Sequence, residues 1–235
     1  MISHAHARVV LVTAMSMLGA LQTAGAADRQ SQACTDDVMI VFDASKSMAA
    51  SDDSAAGLRR IDTVRTALAK VVRKVPASRR LGLVTYDTGE RPACSNINLE
   101  MLPQAGAAQR LMERVNALRP DGRTPLTSAV ALAARVLGFR RKPGTIVVVT
   151  DGDETCHGDP CALAERLKAE AAGLVVHVIG YRLKGSLGSS GRFQSRCLAD
   201  TTGGLYVSTD TSDELVAALE KTLSCPLLSS LEPRR

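Results

Sequence analysis

Apolar and polar positions follow one another in blocks along this chain, and the period changes from block to block. Val38-Met39-Ile40-Val41-Phe42 is an unbroken apolar run of strand length, the pattern of a strand covered on both faces. Ile61, Val64, Leu68, Val71 and Val75 then recur at helical spacing, and Pro76 ends that helix. Residues 81–86 predict a second strand. Ile97, Leu99 and Met101 alternate with polar residues, as in a half-exposed edge strand. Leu111, Val115 and Leu118 mark a helix closed by Pro120, and residues 126–139 read as a buried helix. Thr145-Ile146-Val147-Val148-Val149 is β-branched throughout and predicts a central parallel strand. A helix over 162–172 capped by Gly173, a strand over 175–179 and a Gly/Ser-rich loop over 184–191 follow. A short helix over 193–201 stops at Gly203-Gly204, Leu205-Tyr206-Val207 is a last strand, and an amphipathic helix over 213–223 starts at Thr211-Ser212-Asp213.

This alternation predicts an α/β fold: a doubly wound, mostly parallel sheet with one antiparallel edge strand and helices on both faces. No internal repeat or linker divides it. The chain is 45% hydrophobic, enough to build a single core of roughly 200 residues. The first residues read as a secretory signal over 1–26, with Arg8, an apolar run from Val9 to Leu18 and the small residues Ala24-Gly25-Ala26. The apolar run falls short of the roughly 20 residues of a membrane span, so no stable span is expected after cleavage. The folded domain is expected over 36–224, with a C-terminal tail over 225–235.

Charge and aromatic content narrow the function. The net charge of +5 is mild, and the Lys and Arg residues are spread over predicted helix faces. With 3% aromatics and no Trp there is no stacking platform for bases or sugars, and nucleic-acid binding is not expected. Six cysteines in an exported chain are expected to pair, in any of 15 ways. Cys34 and Cys225 flank the folded region and could close it. Cys156 and Cys161 share one loop and could pair locally, which leaves Cys94 and Cys197.

Candidate chemistry lies at strand ends. Asp43-Ala44-Ser45-Lys46-Ser47 directly follows the first strand, and Thr150-Asp151-Gly152-Asp153-Glu154 follows the central one. In a doubly wound sheet these loops meet at the switch crevice, where ligands sit. Asp121-Gly122-Arg123-Thr124-Pro125-Leu126 adds a third hydroxyl in a turn leading into a helix. Two carboxylates and three hydroxyls form an all-oxygen set suited to a hard divalent cation. Taken singly, Asp43, Ser45 and Ser47 are ordinary turn and helix-start residues, and Asp151-Gly152 an ordinary turn. His157 between two cysteines invites zinc, but four ligands at the usual spacing are missing. His177 lies inside an apolar strand and reads as a core residue.

In this order, Asp43-x-Ser45-x-Ser47, Thr124 and Asp151 resemble the metal-ion-dependent adhesion site of von Willebrand factor type A (VWA) domains. The resemblance extends over roughly residues 37–223. Gly122-Arg123-Thr124-Pro125-Leu126, Thr150-Asp151-Gly152-Asp153-Glu154-Thr155-Cys156 and Thr202-Gly203-Gly204-Leu205-Tyr206 resemble the bacterial exported branch. It implies that Ser45, Ser47 and Thr124 contact Mg²⁺ (or Mn²⁺ or Ca²⁺) directly or nearly so, and that Asp43 and Asp151 act largely through water. It further implies that a partner, a protein or extracellular ligand, completes the site with an acidic residue.

The expected function is therefore an adhesion or interaction module in the periplasm or outside the cell, not an enzyme. Two alternatives stand beside it. One is a Mg²⁺-dependent phosphoryl-transfer hydrolase with a strand-end aspartate as nucleophile, which would need a second acidic residue beside Asp43 and a phosphate-anchoring lysine. The other is a metal-free interaction scaffold.

Overall fold

The computed structural model describes residues 37–52, 57–86, 94–183 and 194–224. The predicted signal, Cys34, Cys225, the Gly/Ser-rich loop over 184–191 and the tail lie outside them. Six strands form one sheet: β1 (Val38–Asp43), β2 (Leu81–Tyr86), β3 (Ile97–Gln104), β4 (Gly144–Thr150), β5 (Leu174–Tyr181) and β6 (Tyr206–Thr209). Their order is β3-β2-β1-β4-β5-β6, parallel throughout except that β3 runs antiparallel to β2 at the edge. From β1 the chain winds first toward β2 and β3, then returns to the other side for β4, β5 and β6. The order reverses between β1 and β4, which is the predicted crevice.

Every residue of β1, β2 and β4 is buried, as their unbroken apolar runs require. Successive β1 residues serve opposite layers. Val38, Ile40 and Phe42 join one core with α1 (Arg60–Val72), α2 (Ala108–Ala117) and α6 (Ser212–Leu223). Met39 and Val41 join the other core with α3 (Leu126–Leu137), α4 (Pro160–Glu170) and α5 (Arg196–Thr202). Local chemistry sets the helix ends. Thr211 and Glu214 form a capping box for α6, Asp159 caps α4 through the Ala162 N–H at 2.9 Å, and Gly138 ends α3 at φ 68°.

The half-exposed edge strand is found as β3, with one irregularity, and one cysteine pairing is corrected. The alternation of Ile97, Leu99 and Met101 does not place them on one face. Leu83 pairs with Met101 but its neighbour Val84 pairs with Leu99, so β3 carries an extra residue at Glu100. Met101 is consequently buried in the α1/α2 core while Leu99 is 42% exposed. Gly82 permits the irregularity: a Cβ there would meet Met39 Sδ at 2.4 Å and the Met101 carbonyl at 2.9 Å.

The cysteine pairing differs as well. Cys156 bonds Cys94, and Cys161 bonds Cys197. Cys156 lies in the loop beside the chain entering β3, whereas Cys161 is already on α4 and faces the packed helix α5. Each therefore meets its spatial neighbour rather than its sequence neighbour. The two bridges tie the loop after β4 to the β3 side and to the α5 side.

His177 is only partly buried on β5 and is not a full core residue, although its ring is satisfied within the fold. Its Nδ1 accepts the Leu205 N–H at 3.0 Å, so the ring is neutral. Burial, aided by the Arg79 charge, lowers its pKa to about 4. The folded value lies below the ordinary one near 6.5, so this contribution to stability is complete above pH 6.5 and is lost as pH falls toward 4. Urea unfolding of the wild type is expected to lose about 2 kcal/mol more across that window than a His177→Asn variant, after discounting for solvent screening. Parallel stability–pH curves for the two proteins would contradict this.

Candidate metal centre

The parallel register of β1 and β4 pairs Phe42 with Val149, which brings the loops beginning at Asp43 and Asp151 side by side. Asp43 is fully buried at the last position of β1. Its Oδ1 accepts the Ser45 N–H at 2.7 Å, and its Oδ2 accepts the Thr150 hydroxyl at 2.6 Å. The Tyr86 hydroxyl donates to Thr150 Oγ1 at 3.3 Å from the neighbouring strand. Ser47 donates to Asp151 Oδ1 at 2.6 Å, so its oxygen is left to accept from Ser45 Oγ at 3.0 Å. A chain of hydrogen bonds thus links Ser45, Ser47 and Asp151, with Asp43 fastened to its start.

Thr124 is buried, and the turn that carries it is joined by backbone bonds to the loops of the cluster. The Asp121 N–H donates to the Ala44 carbonyl at 3.0 Å, and the Lys46 N–H to the Gly122 carbonyl at 3.3 Å. On the other side the Thr155 N–H donates to the Thr124 carbonyl at 3.0 Å, while the Thr124 N–H donates to Thr155 Oγ1 at 2.7 Å. The turn carrying Thr124 is therefore stitched to both strand-end loops. Ser45, Thr124, Asp43 and Asp151 are buried, whereas Ser47 and Lys46 are exposed, so solvent approaches the cluster past Ser47.

The donors are two carboxylates and three hydroxyls, with no nitrogen or sulfur among them, which fits a hard divalent cation. Among the described residues, no three His, Cys, Asp or Glu side chains gather as a metal cluster. His157 has no thiolates to share a zinc ion with, because Cys156 and Cys161 are both in disulfides.

Electrostatics show what the arrangement asks of the fold. Burial, with the Asp151 charge adding to it, raises the Asp43 pKa to about 6 against the hydrogen bonds from Ser45 and Thr150. Burial and the same carboxylates push the Tyr86 phenol well above its ordinary range. Asp151 has a compensating partner in Arg60, whose Nη1 lies 2.9 Å from Oδ2. The residues on either side of the approach to Arg60 are tied together: the Asp52 N–H donates to the Leu58 carbonyl at 2.8 Å, and the Arg60 N–H to the Ala50 carbonyl at 2.9 Å. The buried Asp52 carboxylate in turn accepts from Thr63 at 2.5 Å, from the Tyr181 hydroxyl, and from Arg182 at 3.2 Å.

Residues 38–154 match the family model of the von Willebrand factor type A domain. The chain carries a von Willebrand factor type A domain. The matched segment contains all five predicted donors, from Asp43 to Asp151. An uncharacterized protein of Bacillus subtilis (strain 168), YwmD, is 28% identical over 195 residues, 78% of this chain and 83% of its own length. A von Willebrand factor type A structure from Catenulispora acidiphila superposes with a TM-score of 0.59 at 16% identity; it covers 81% of this chain, which spans 42% of that longer chain. Proximal thread matrix protein 1 of the mussel byssus, with a zinc-occupied MIDAS motif, superposes with a TM-score of 0.58 at 18% identity. It covers 82% of this chain, which spans 46% of its length. Divalent-metal binding is thus found within the VWA fold.

Several site residues of this VWA domain are not apparent from sequence. Thr150 closes an apolar strand and is the donor to Asp43. Arg60 lies 91 positions from Asp151, and no local pattern connects them. Asp153 and Glu154, which in sequence read as a solvated loop or as an acidic rim toward a partner, are both engaged within the fold. Asp153 accepts from the Ser195 N–H at 3.2 Å and Ser195 Oγ at 2.9 Å before α5. Glu154 accepts from the Thr127 N–H at 2.7 Å at the start of α3, where Pro125 provides no side-chain cap, and from the Cys156 N–H at 2.6 Å.

A buried carboxylate whose folded-state pKa is raised subtracts stability once it ionises, and that loss grows as pH rises from about 4 through 6. In chelator at pH 7.5, Asp43→Asn is expected to stabilise the domain by about 2 kcal/mol. Thermal melts with equal or lower midpoints for the variant would contradict this.

Proposed function

We propose that this chain is an exported, divalent-cation-dependent interaction module that captures an acidic residue of a protein or extracellular ligand and performs no covalent chemistry. The observation that carries this reading is the hydrogen-bonded cluster of Asp43, Ser45, Ser47 and Asp151, with Thr124 stitched to it, at the β1/β4 crevice. Ser45, Ser47 and Thr124 would hold Mg²⁺ or a related ion through neutral hydroxyls. Asp43 and Asp151 would supply its countercharge from behind. When bound, the ion supplies Lewis acidity toward an incoming carboxylate, because among the described residues of the cluster two, Asp43 and Asp151, are anionic. Ser47 and Lys46 stand on the exposed side, where a partner arrives.

The hydrolase alternative fares worse against the geometry. Asp43 has no exposed surface, and both of its oxygens are held by Ser45 and Thr150, so it is not placed to attack a phosphorus atom. The second carboxylate of the cluster, Asp151, is likewise buried and is held by Ser47 and Arg60, so it too is engaged within the fold.

Export is supported by the signal-like first residues and by two disulfides, which persist in oxidising compartments. Among the described residues, no helix is long and apolar enough to cross a membrane. We place the module in the periplasm or outside the cell.

Calorimetric titration with Mn²⁺ or Mg²⁺ is expected to show one saturable site in the wild type and none in Asp43→Ala. Capture of an envelope partner on the immobilised domain should require the ion and fail with chelator. Retained ion binding in Asp43→Ala would refute the site, and ion-dependent turnover of phosphate esters lost in that variant would restore the hydrolase.

A further inference from the structure

Arg60 stands where local helix energetics would not put it. It is the first residue of α1, where the helix dipole favours anions and disfavours cations. The acidic residue of that turn, Asp62, is paired with Arg59 at 2.9 Å and Arg65 at 3.1 Å, and neither contact involves Arg60. The Arg60 guanidinium instead reaches Asp151 Oδ2 at 2.9 Å, against a carboxylate with no exposed surface. Its Nε is buried with no hydrogen-bond partner among the described residues, so this contact is won against a desolvation penalty. The backbone bonds at Ala50, Asp52 and Leu58 fix where α1 begins and hence where this charge lies.

Resting on the metal-centre reading above, we propose that Arg60 is a resident counter-cation of the site, which competes with the divalent ion for Asp151 and sets how tightly the ion is held. Two carboxylates alone carry a formal charge of −2, and the guanidinium reduces the cluster to −1. A divalent ion entering beside Asp151 meets that positive charge at close range in a partly buried setting. There the repulsion is screened far less than at an open surface. Lys46 adds a second cation on the exposed side, but it shows no contact with either carboxylate and is a weaker influence. The site is therefore tuned toward low affinity, and it fills where the ion is abundant.

Two opposing effects follow from neutralising Arg60. Without an ion, Asp151 loses its partner and the domain becomes less stable. With an ion, the repulsion is gone and the ion binds more tightly. Mn²⁺ affinity, measured by electron paramagnetic resonance on the disulfide-intact chain at low ionic strength, is expected to rise about tenfold in Arg60→Met. Arg60→Lys should stay within about twofold of the wild type, because it keeps the charge. The thermal midpoint of Arg60→Met should fall in chelator, and Mn²⁺ should raise it further than in the wild type. Arg60→Gln repeats the test if the Met variant does not fold.

Unchanged Mn²⁺ affinity in the neutral variants would overturn the counter-cation role, and weaker affinity would make Arg60 a positioning residue for Asp151. Either result leaves the metal centre standing, provided that Asp43→Ala abolishes binding. Absence of Mn²⁺ binding in the wild type and the neutral variants alike would overturn both the counter-cation and the centre itself.

Discussion

Two carboxylates held at the ends of adjacent parallel strands are the constraint around which this molecule is organised. The β1–β4 register brings Asp43 and Asp151 into neighbouring loops, and both are removed from water. Burial first, and then the neighbouring Asp151 charge, resist ionisation of Asp43 and raise its pKa. The surrounding structure answers that repulsion with donors: the Ser45 N–H, the hydroxyls of Thr150 and Ser47, and the guanidinium of Arg60. Few of these groups improve the hydrophobic core. They make the burial of two acids tolerable, and they do so with oxygens that a hard cation can also use.

The stitching of the loops follows from the same need. A cluster of hydroxyls holds an ion only if its oxygens stay in place, and loops without support do not hold them. Here the turn carrying Thr124 is bonded to the loop after β1 and to the loop after β4, and the disulfides fasten the latter to two further parts of the fold. Glu154 and Asp153, which could have formed an acidic rim, are spent on the starts of α3 and α5. This consolidates the wall of the site and leaves Ser47 and Lys46 as its exposed side.

The layered fold was legible because β1 and β4 are unbroken apolar runs and the helices between them keep a clear period. The predicted switch crevice follows from that alternation alone. The placement of Asp43, Ser45, Ser47, Thr124 and Asp151 around one crevice was legible because each stands immediately after a strand or in a Gly/Pro-shaped turn. What sequence pattern did not reveal depends on register and distance. The extra residue at Glu100 splits Leu99 from Met101, and no count of alternating residues reports a bulge. The cysteines pair across elements, so nearness in sequence misdirects. Arg60 meets Asp151 only because backbone bonds at Ala50, Asp52 and Leu58 fix the start of α1, and nothing in its own segment announces that contact.

We propose the β1/β4 crevice as a divalent-cation centre. Anomalous diffraction at the manganese edge, from crystals of the disulfide-intact chain grown in saturating Mn²⁺, tests it most directly. One strong peak is expected among Ser45, Ser47, Thr124, Asp43 and Asp151. An ordered crevice with no peak, or manganese bound only at other surface carboxylates, would contradict it.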